Sequence, residues 1–326
     1  MFESLADASR LLMHADLRPV QGDRFQPTGF ADLGAAVYTA PDGTRKLLVE
    51  SAQSMANRLE ATILGPDSEL DPALEGLSYV RVQLEGESDA CTNSLIEAHR
   101  LNSPFIIGGD GGKAFQEAFV DAAGYAKGKR IDWRKVARAL YRYDVNSLLH
   151  GVFLANVGDG RLKVPRALTA FIEATGVREA VSGGVKNDPI DPTGTLRAKG
   201  YDKKDVYGNV PYQRIEYTAA RITAYFNLDL AQIRAFDLGH EATELLVALA
   251  LLKVRRLLDG GLRLRTACDL QPVTDLIVDQ PKGFEVPGAD RLLGRVQSAI
   301  AATHEMFADP PVTEIKTPVV RKKQAG

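Results

Sequence analysis

The sequence predicts an α+β protein built on a ferredoxin-like core, and three observations predict it. Residues with strand-like alternation recur at Leu11–Val20, Tyr79–Glu85, Leu162–Thr175 and Tyr212–Leu230. Two helical patterns stand between strands, one opening at Ser51 and one over Glu241–Leu258. Read in order, the chain runs strand, helix, strand, insertion, strands, helix, strand. This order is compatible with a βαββαβ core carrying large insertions. The 326 residues are 45% hydrophobic, enough to bury the core of one elaborated domain spanning residues 1–326.

Each element has its own signal. Leu11–Val20 and Ala35–Tyr38 alternate, Pro41-Asp42-Gly43 makes a turn, and Lys46–Glu50 continues as a strand. Ser51 or Ser54 can cap the helix SAQSMANRLEATIL, because a hydroxyl there accepts from an unpaired N–H of the first turn. Met55, Leu59 and Ile63 share its apolar face, and Gly65-Pro66 ends it. Residues 102–150 are expected to form a mostly helical insertion. It passes through Gly108, Gly109, Gly111 and Gly112, read as a flexible turn, and includes the basic helix DWRKVARALYR. Residues 181–211 hold eight glycines and prolines and read as a long irregular insertion. Over Glu241–Leu258, Leu245, Leu246, Leu249, Leu252 and Leu257 supply an apolar face, and Gly260-Gly261 stops the helix. Leu262–Cys268 alternates as a strand. Residues 310–326 are expected to be a flexible basic tail ending in Arg321, Lys322 and Lys323.

Net charge is −2, so bulk charge does not announce a polyanion ligand. The distribution is uneven. Residues 60–121 hold 12 acids against 3 bases, and residues 122–234 hold 11 acids against 19 bases. The middle of the chain therefore suits a polyanion, although ordinary solvated faces would give the same asymmetry.

Several classes are disfavoured. The N-terminus lacks a basic region followed by an apolar run, as a signal peptide needs. No apolar stretch reaches the roughly 18 residues of a membrane span, so the expectation is a cytoplasmic protein with no membrane partner. Cys91 and Cys268 sit in no metal-binding spacing and are expected to be buried thiols. His14, His99, His150, His240 and His304 are scattered and belong to no nucleophile motif; His99 and His150 read as packing or hydrogen-bonding residues. Asp188 and Asp191 in NDPIDP have a suggestive spacing, but Asp-Pro more often starts a turn. Gly108–Lys113 lacks the spacing and the hydroxyl residue of a phosphate loop. No catalytic residue, metal site or cofactor is expected.

Four segments carry a family resemblance: ESAQSMANRLE at Glu50–Glu60, SGGVKNDPIDPTG at Ser182–Gly194, YGNVPYQRIEYTA at Tyr207–Ala219, and LLVALALLKVRRLLDGGLRLRTACDL at Leu245–Leu270. In that order they resemble the RAMP-type backbone subunit of type I-U (I-G) CRISPR effectors, a member of the Cas-seven superfamily. The resemblance implies a modified RNA-recognition-motif core, with residues 102–150 as a helical finger and 181–211 as a thumb. It implies a non-catalytic subunit whose copies stack head to tail along a CRISPR guide RNA and present the spacer to a target DNA strand. It also implies a large subunit and a fused Cas-five/Cas-six subunit as partners.

A scaffold for any spacer grips phosphates and 2′-hydroxyls and leaves base edges free. The resemblance places Ser51 and Gln53, and with them Ser54, Asn57 and Arg58, at a helix N-terminus suited to phosphate. An ion pair of Arg58 with Glu50 or Glu60 is the plain alternative. Arg134, Arg138 and Arg142 recur every four residues as one stripe that would track a backbone or simply face solvent. Arg161, Lys163 and Arg166 flank Pro165, and Lys186 and Asn187 sit in the thumb, where Val185 or Ile190 would wedge between bases. The runner-up is a metal-dependent endoribonuclease of the same superfamily using Asp188, Asp191 or Asp89. A small-molecule enzyme on a ferredoxin-like scaffold stands third.

Overall fold

A computed structural model describes residues 2–30, 32–85, 91–200 and 208–318. Its elements in chain order begin with β1 (Arg10–Pro19), β2 (Val37–Thr39), β3 (Arg45–Glu50), α1 (Ala52–Ala61), β4 (Tyr79–Glu85) and β5 (Cys91–Asn93). The insertion follows with α2 (Gly109–Ala122), α3 (Trp133–Tyr143) and α4 (Val145–His150). Then come β6 (Val152–Leu154), β7 (Leu162–Val164), β8 (Leu168–Thr175), β9 (Arg178–Lys186), β10 (Val210–Thr218) and β11 (Arg221–Asp229). The chain closes with α5 (His240–Asp259), β12 (Leu262–Arg265), β13 (Cys268–Pro272), β14 (Ile277–Gln280), α6 (Ala289–Ala302) and β15 (Val312–Pro318).

The main sheet has the order β12-β13-β1-β11-β8-β3-β2, and β14 also pairs with β1. Within it, β13-β1-β11-β8 is the 4-1-3-2 antiparallel order of a βαββαβ core, with α1 preceding the second core strand and α5 linking the third to the fourth. The α+β, ferredoxin-like expectation holds.

Alternation decides which face is buried. Leu11, Met13, Ala15 and Leu17 of β1 point inward with Leu168, Ala170, Ile172 and Ala174 of β8 and Ala224, Phe226 and Leu228 of β11. Met55 and Leu59 of α1 pack into the same core. Each such side chain contributes about 1.5–3 kcal/mol on burial. The apolar surface of α5 is wider than one face, because α6 packs over it: every residue from Glu244 to Val254 is buried.

Four expectations change. Gly109–Ala122 is helical, and its glycines are packing devices: a Cβ on Gly111 would lie 2.3 Å from the Lys316 carbonyl oxygen. Residues 312–318 of the expected tail form β15, which pairs in parallel with β4; residues 319–326, with Arg321, Lys322 and Lys323, lie outside the described residues. The 181–211 segment is not irregular at its ends, since β9 and β10 pair from Arg178↔Thr218 to Lys186↔Val210. Cys91 is exposed, and only Cys268 is buried. Pro165, which has no N–H to give a ladder, separates β7 from β8 within Leu162–Thr175. Among the described residues no helix is long and apolar enough to cross a membrane.

Candidate nucleic-acid interface

A cleft of about 720 Å³ opens where α1, the 98–102 turn and the β6–β7 ribbon meet. Its polar lining includes Gln53, His99, Arg100, Asn102, Lys163 and Arg166, with His150 at its wall and no carboxylate in the lining. Sequence-derived candidates Gln53, Lys163 and Arg166 are thus brought together.

Local structure explains the placement. Ser51 caps α1, its Oγ accepting from Ser54 N–H at 3.3 Å, which leaves Gln53 exposed in the first turn. Gly151 has φ +75°, and a Cβ there would lie 2.9 Å from both Arg166 N and the Val164 carbonyl oxygen. Only glycine lets the β6–β7 ribbon fold back so tightly. Arg166 then donates from Nε to the His150 carbonyl at 3.3 Å and has no carboxylate partner among the described residues. Burial, followed by the nearby Arg100 charge, holds its pKa below the usual arginine value, with Glu60 opposing. A partly desolvated cation without a counter-ion is a strong attractor for an anion. Lys163 lies over the Phe153 ring at 5.9 Å, also without an acid.

Behind the cleft lies a buried polar network. Glu60 accepts from Arg100 Nε and Nη2 at 2.6 and 2.7 Å, and from Asn146 Nδ2 at 2.8 Å. Lys253, fully buried, donates from Nζ to Asn146 Oδ1 and meets His150 Nε2 at 2.9 Å. With Lys253 protonated, Nζ donates to Nε2 and His150 carries its proton on Nδ1, a buried atom with no partner among the described residues. Burial pushes Lys253 down to about 7 and Asp144 up to about 7. Burial also holds His150 well below its usual value, helped by the Lys253, Arg100 and Arg166 charges.

The other candidates lie elsewhere. Ser54 donates to Glu50 Oε1, and Arg58 bonds Glu50 at 2.9 Å and the Leu264 carbonyl at 2.7 Å, so both turn inward. Asn57 is exposed on α1. Arg134, Arg138 and Arg142 do form one exposed stripe on α3, with Arg134 3.2 Å from Asp237. Arg161 ties its loop to Asp159 at 2.8 Å and to the Lys129 carbonyl at 3.0 Å. Lys186 and Asn187 are exposed at the end of β9, near exposed Val185 and Ile190. Asp188 and Asp191 accept backbone N–H bonds from Ile190, Thr195 and Leu196 at 2.9–3.1 Å, as turn residues do; Asp89 and Tyr207 lie outside the described residues. Among the described residues no cluster of three His, Cys, Asp or Glu side chains would hold a metal. His150 is the hydrogen-bonding histidine the sequence suggests, but sequence reading missed Arg100 and Lys253; three distant segments supply the three, and no spacing signals their convergence.

The model of the family described as CRISPR-associated protein GSU0053 matches residues 11–179. The chain belongs to this family. The matched span covers β1 through the start of β9, and with them Gln53, Arg100, His150, Lys163 and Arg166. It includes the first of the four resembling segments; the other three lie beyond it. The expectation of a CRISPR-associated family therefore holds. Two solved structures are similar in fold. One, described as a CRISPR RNA-guided surveillance complex, pre-nicking, has 15% identity and a TM-score of 0.42, over 81% of this chain and 74% of that one. The other, described as a CRISPR RNA-guided surveillance complex, has 14% identity and a TM-score of 0.36, over 81% and 66%. Both are too distant to add to the assignment. No curated protein matches.

Proposed function

We propose that this CRISPR-associated protein is a non-catalytic guide-RNA-binding backbone subunit of a type I-U/I-G surveillance complex. The observation that carries the reading is the cleft in which Arg166 and Lys163 stand without acids beside Gln53. This is an arrangement for phosphates and 2′-hydroxyls, which every nucleotide of a guide shares. Copies stack head to tail along the guide, the 60–121 region of one facing the basic middle of the next. The β9–β10 hairpin reaches to the neighbour as a thumb. The large subunit, the fused Cas-five/Cas-six subunit and the target DNA strand complete the assembly. The turn roles of Asp188 and Asp191 favour this reading over the ribonuclease.

Incubation with end-labelled CRISPR RNA and magnesium tests it. A ladder of larger particles holding intact RNA, with regularly spaced nuclease-resistant segments, is expected. RNA cut at regular intervals and spared by Asp191→Ala would replace this reading with the ribonuclease.

A further inference from the structure

Lys253 is the only lysine of α5, and it lies wholly inside the protein. A buried ammonium is costly unless it is paired, and a carboxylate is its usual partner. Among the described residues Nζ bonds no carboxylate. Its partners are Asn146 Oδ1 and, at 2.9 Å, His150 Nε2. The two acids that draw a proton to Lys253, Glu60 and Asp144, are bonded elsewhere. Glu60 holds Arg100 at 2.6 Å and Asn146 at 2.8 Å, and Asp144 accepts from Ser147 Oγ at 2.6 Å and Asn146 N–H at 3.1 Å.

This buried pair lies against the basic cleft. His150 forms part of the cleft wall, and its carbonyl accepts from Arg166 at 3.3 Å. Arg100 lines the cleft and bonds Glu60 behind it. The contact between Nζ and Nε2 also tolerates two proton counts. An ammonium donates to Nε2, with the imidazole proton on Nδ1. An amine accepts from Nε2–H equally well, so a proton comes or goes with no side chain moving.

Charge decides which count prevails. Burial does most to keep a proton off Lys253; Glu60 and Asp144 oppose it, and Arg100 adds to it. At His150 burial again comes first, then the Lys253, Arg100 and Arg166 charges. At Asp144 burial favours the proton, the Ser147 bond opposes it, Glu60 favours it, and Arg100 and Lys253 oppose it. Two cations of the cleft lining, Arg100 and Arg166, therefore repel protons from the network behind it. An anion set against them cancels that repulsion.

We infer that the buried Lys253–His150 pair is a further cation of the strand-binding site, one that a proton supplies as phosphate enters the cleft. Strand binding and proton uptake are then one linked equilibrium. Lys253 touches no part of the strand and acts through the cleft wall. The sign follows: uptake on binding makes affinity highest at low pH, and affinity falls as pH rises through and above the Lys253 range at about 7. An opposite charge at close range moves proton affinity by about one pKa unit or more, so strand affinity should change by about 10-fold across this range. The inference rests on the cleft reading above.

The test uses the full chain and a single-stranded RNA oligonucleotide. Calorimetric titration at about pH 7.5, in buffers of different ionisation enthalpy, counts the protons taken up. The parent should take up about half a proton per strand, and Lys253→Met clearly less. His99 also lines the cleft and can take up a proton, but both chains keep it, so the difference belongs to the buried pair. Lys253→Met orphans two buried acceptors, so the parent is also followed by NMR with carbon-13 at the lysine Cε atoms. The Lys253 titration, recognised by a midpoint far below that of exposed lysines, should move up by about one pKa unit when RNA is bound. Should Lys253→Met fail to fold, the NMR titration decides alone. Equal proton uptake in the two chains, or a Lys253 midpoint that RNA does not move, overturns the inference and leaves the cleft standing. Failure of the parent to bind RNA overturns both readings.

Discussion

The main sheet and the β9–β10 hairpin use the same kinds of residue in opposite ways. In the sheet, apolar side chains alternate inward, and the buried polar and charged groups behind it are bonded to one another, as in Glu60–Arg100 and Lys253–Asn146. In the hairpin, Val181, Val185, Val210, Tyr212 and Ile215 are exposed, and Ile190 beyond β9 is 83% exposed. The sheet spends its apolar surface on its own stability. Apart from a bridge between Tyr217 and Phe25 at its base, the hairpin pairs with itself among the described residues, and its exposed apolar residues suit a surface outside this chain. The basic cleft lies between these extremes: Arg100 is bonded to Glu60, while Lys163 and Arg166 have no acidic partner among the described residues.

Substitutions should separate the two regions. Phe226→Ala empties a site in the centre of the sheet and is expected to cost about 3–5 kcal/mol in urea unfolding. Little loss there would erase the contrast. Lys253→Met orphans acceptors on Asn146 and His150, each worth about 1–3 kcal/mol. It should also flatten the dependence of stability on pH. The Lys253 pKa is depressed from 10.5 to about 7, so its stabilising contribution is complete above pH 10.5 and is lost as pH falls towards 7. Asp144 runs the other way, its contribution being lost as pH rises from about 4 through 7. Unfolding at pH 7.5 and 9.5, above the Asp144 window, should show the parent chain gaining stability and Lys253→Met gaining less. Val185→Gly with Ile190→Gly should change stability by no more than about 0.5 kcal/mol, since neither side chain packs on the core. It should nevertheless weaken regular protection of the guide from nuclease; unchanged protection spacing would remove the thumb role.

The same contrast explains what the sequence reveals. β1 and α5 are legible because alternation and periodic leucines are local patterns. Gly108–Gly112 misleads, because Gly111 serves the approach of β15 from the other end of the chain and Gly112 the close approach of Ile106 and Ile107. Residues 312–318 mislead for the same reason: their partner is β4, and a parallel pairing leaves no local signal. Of the site, Gln53 is visible through the capped first turn of α1. Lys163 and Arg166 are visible as charges beside a proline. The pairing of Arg58 with Glu50 is legible as the plain alternative to a phosphate contact, whereas its bond to the Leu264 carbonyl follows from the strand that comes after α5.

The central claim is that unpaired cations in the cleft hold the backbone of a single strand. Fluorescence anisotropy with labelled single-stranded RNA, from about 50 to 200 mM salt, tests it most directly. Arg166→Ala should weaken binding across unrelated sequences and reduce the slope of log affinity against log salt by about 1. A parent-like slope and affinity in Arg166→Ala, and in Lys163→Ala, would contradict the claim and move the RNA away from this cleft.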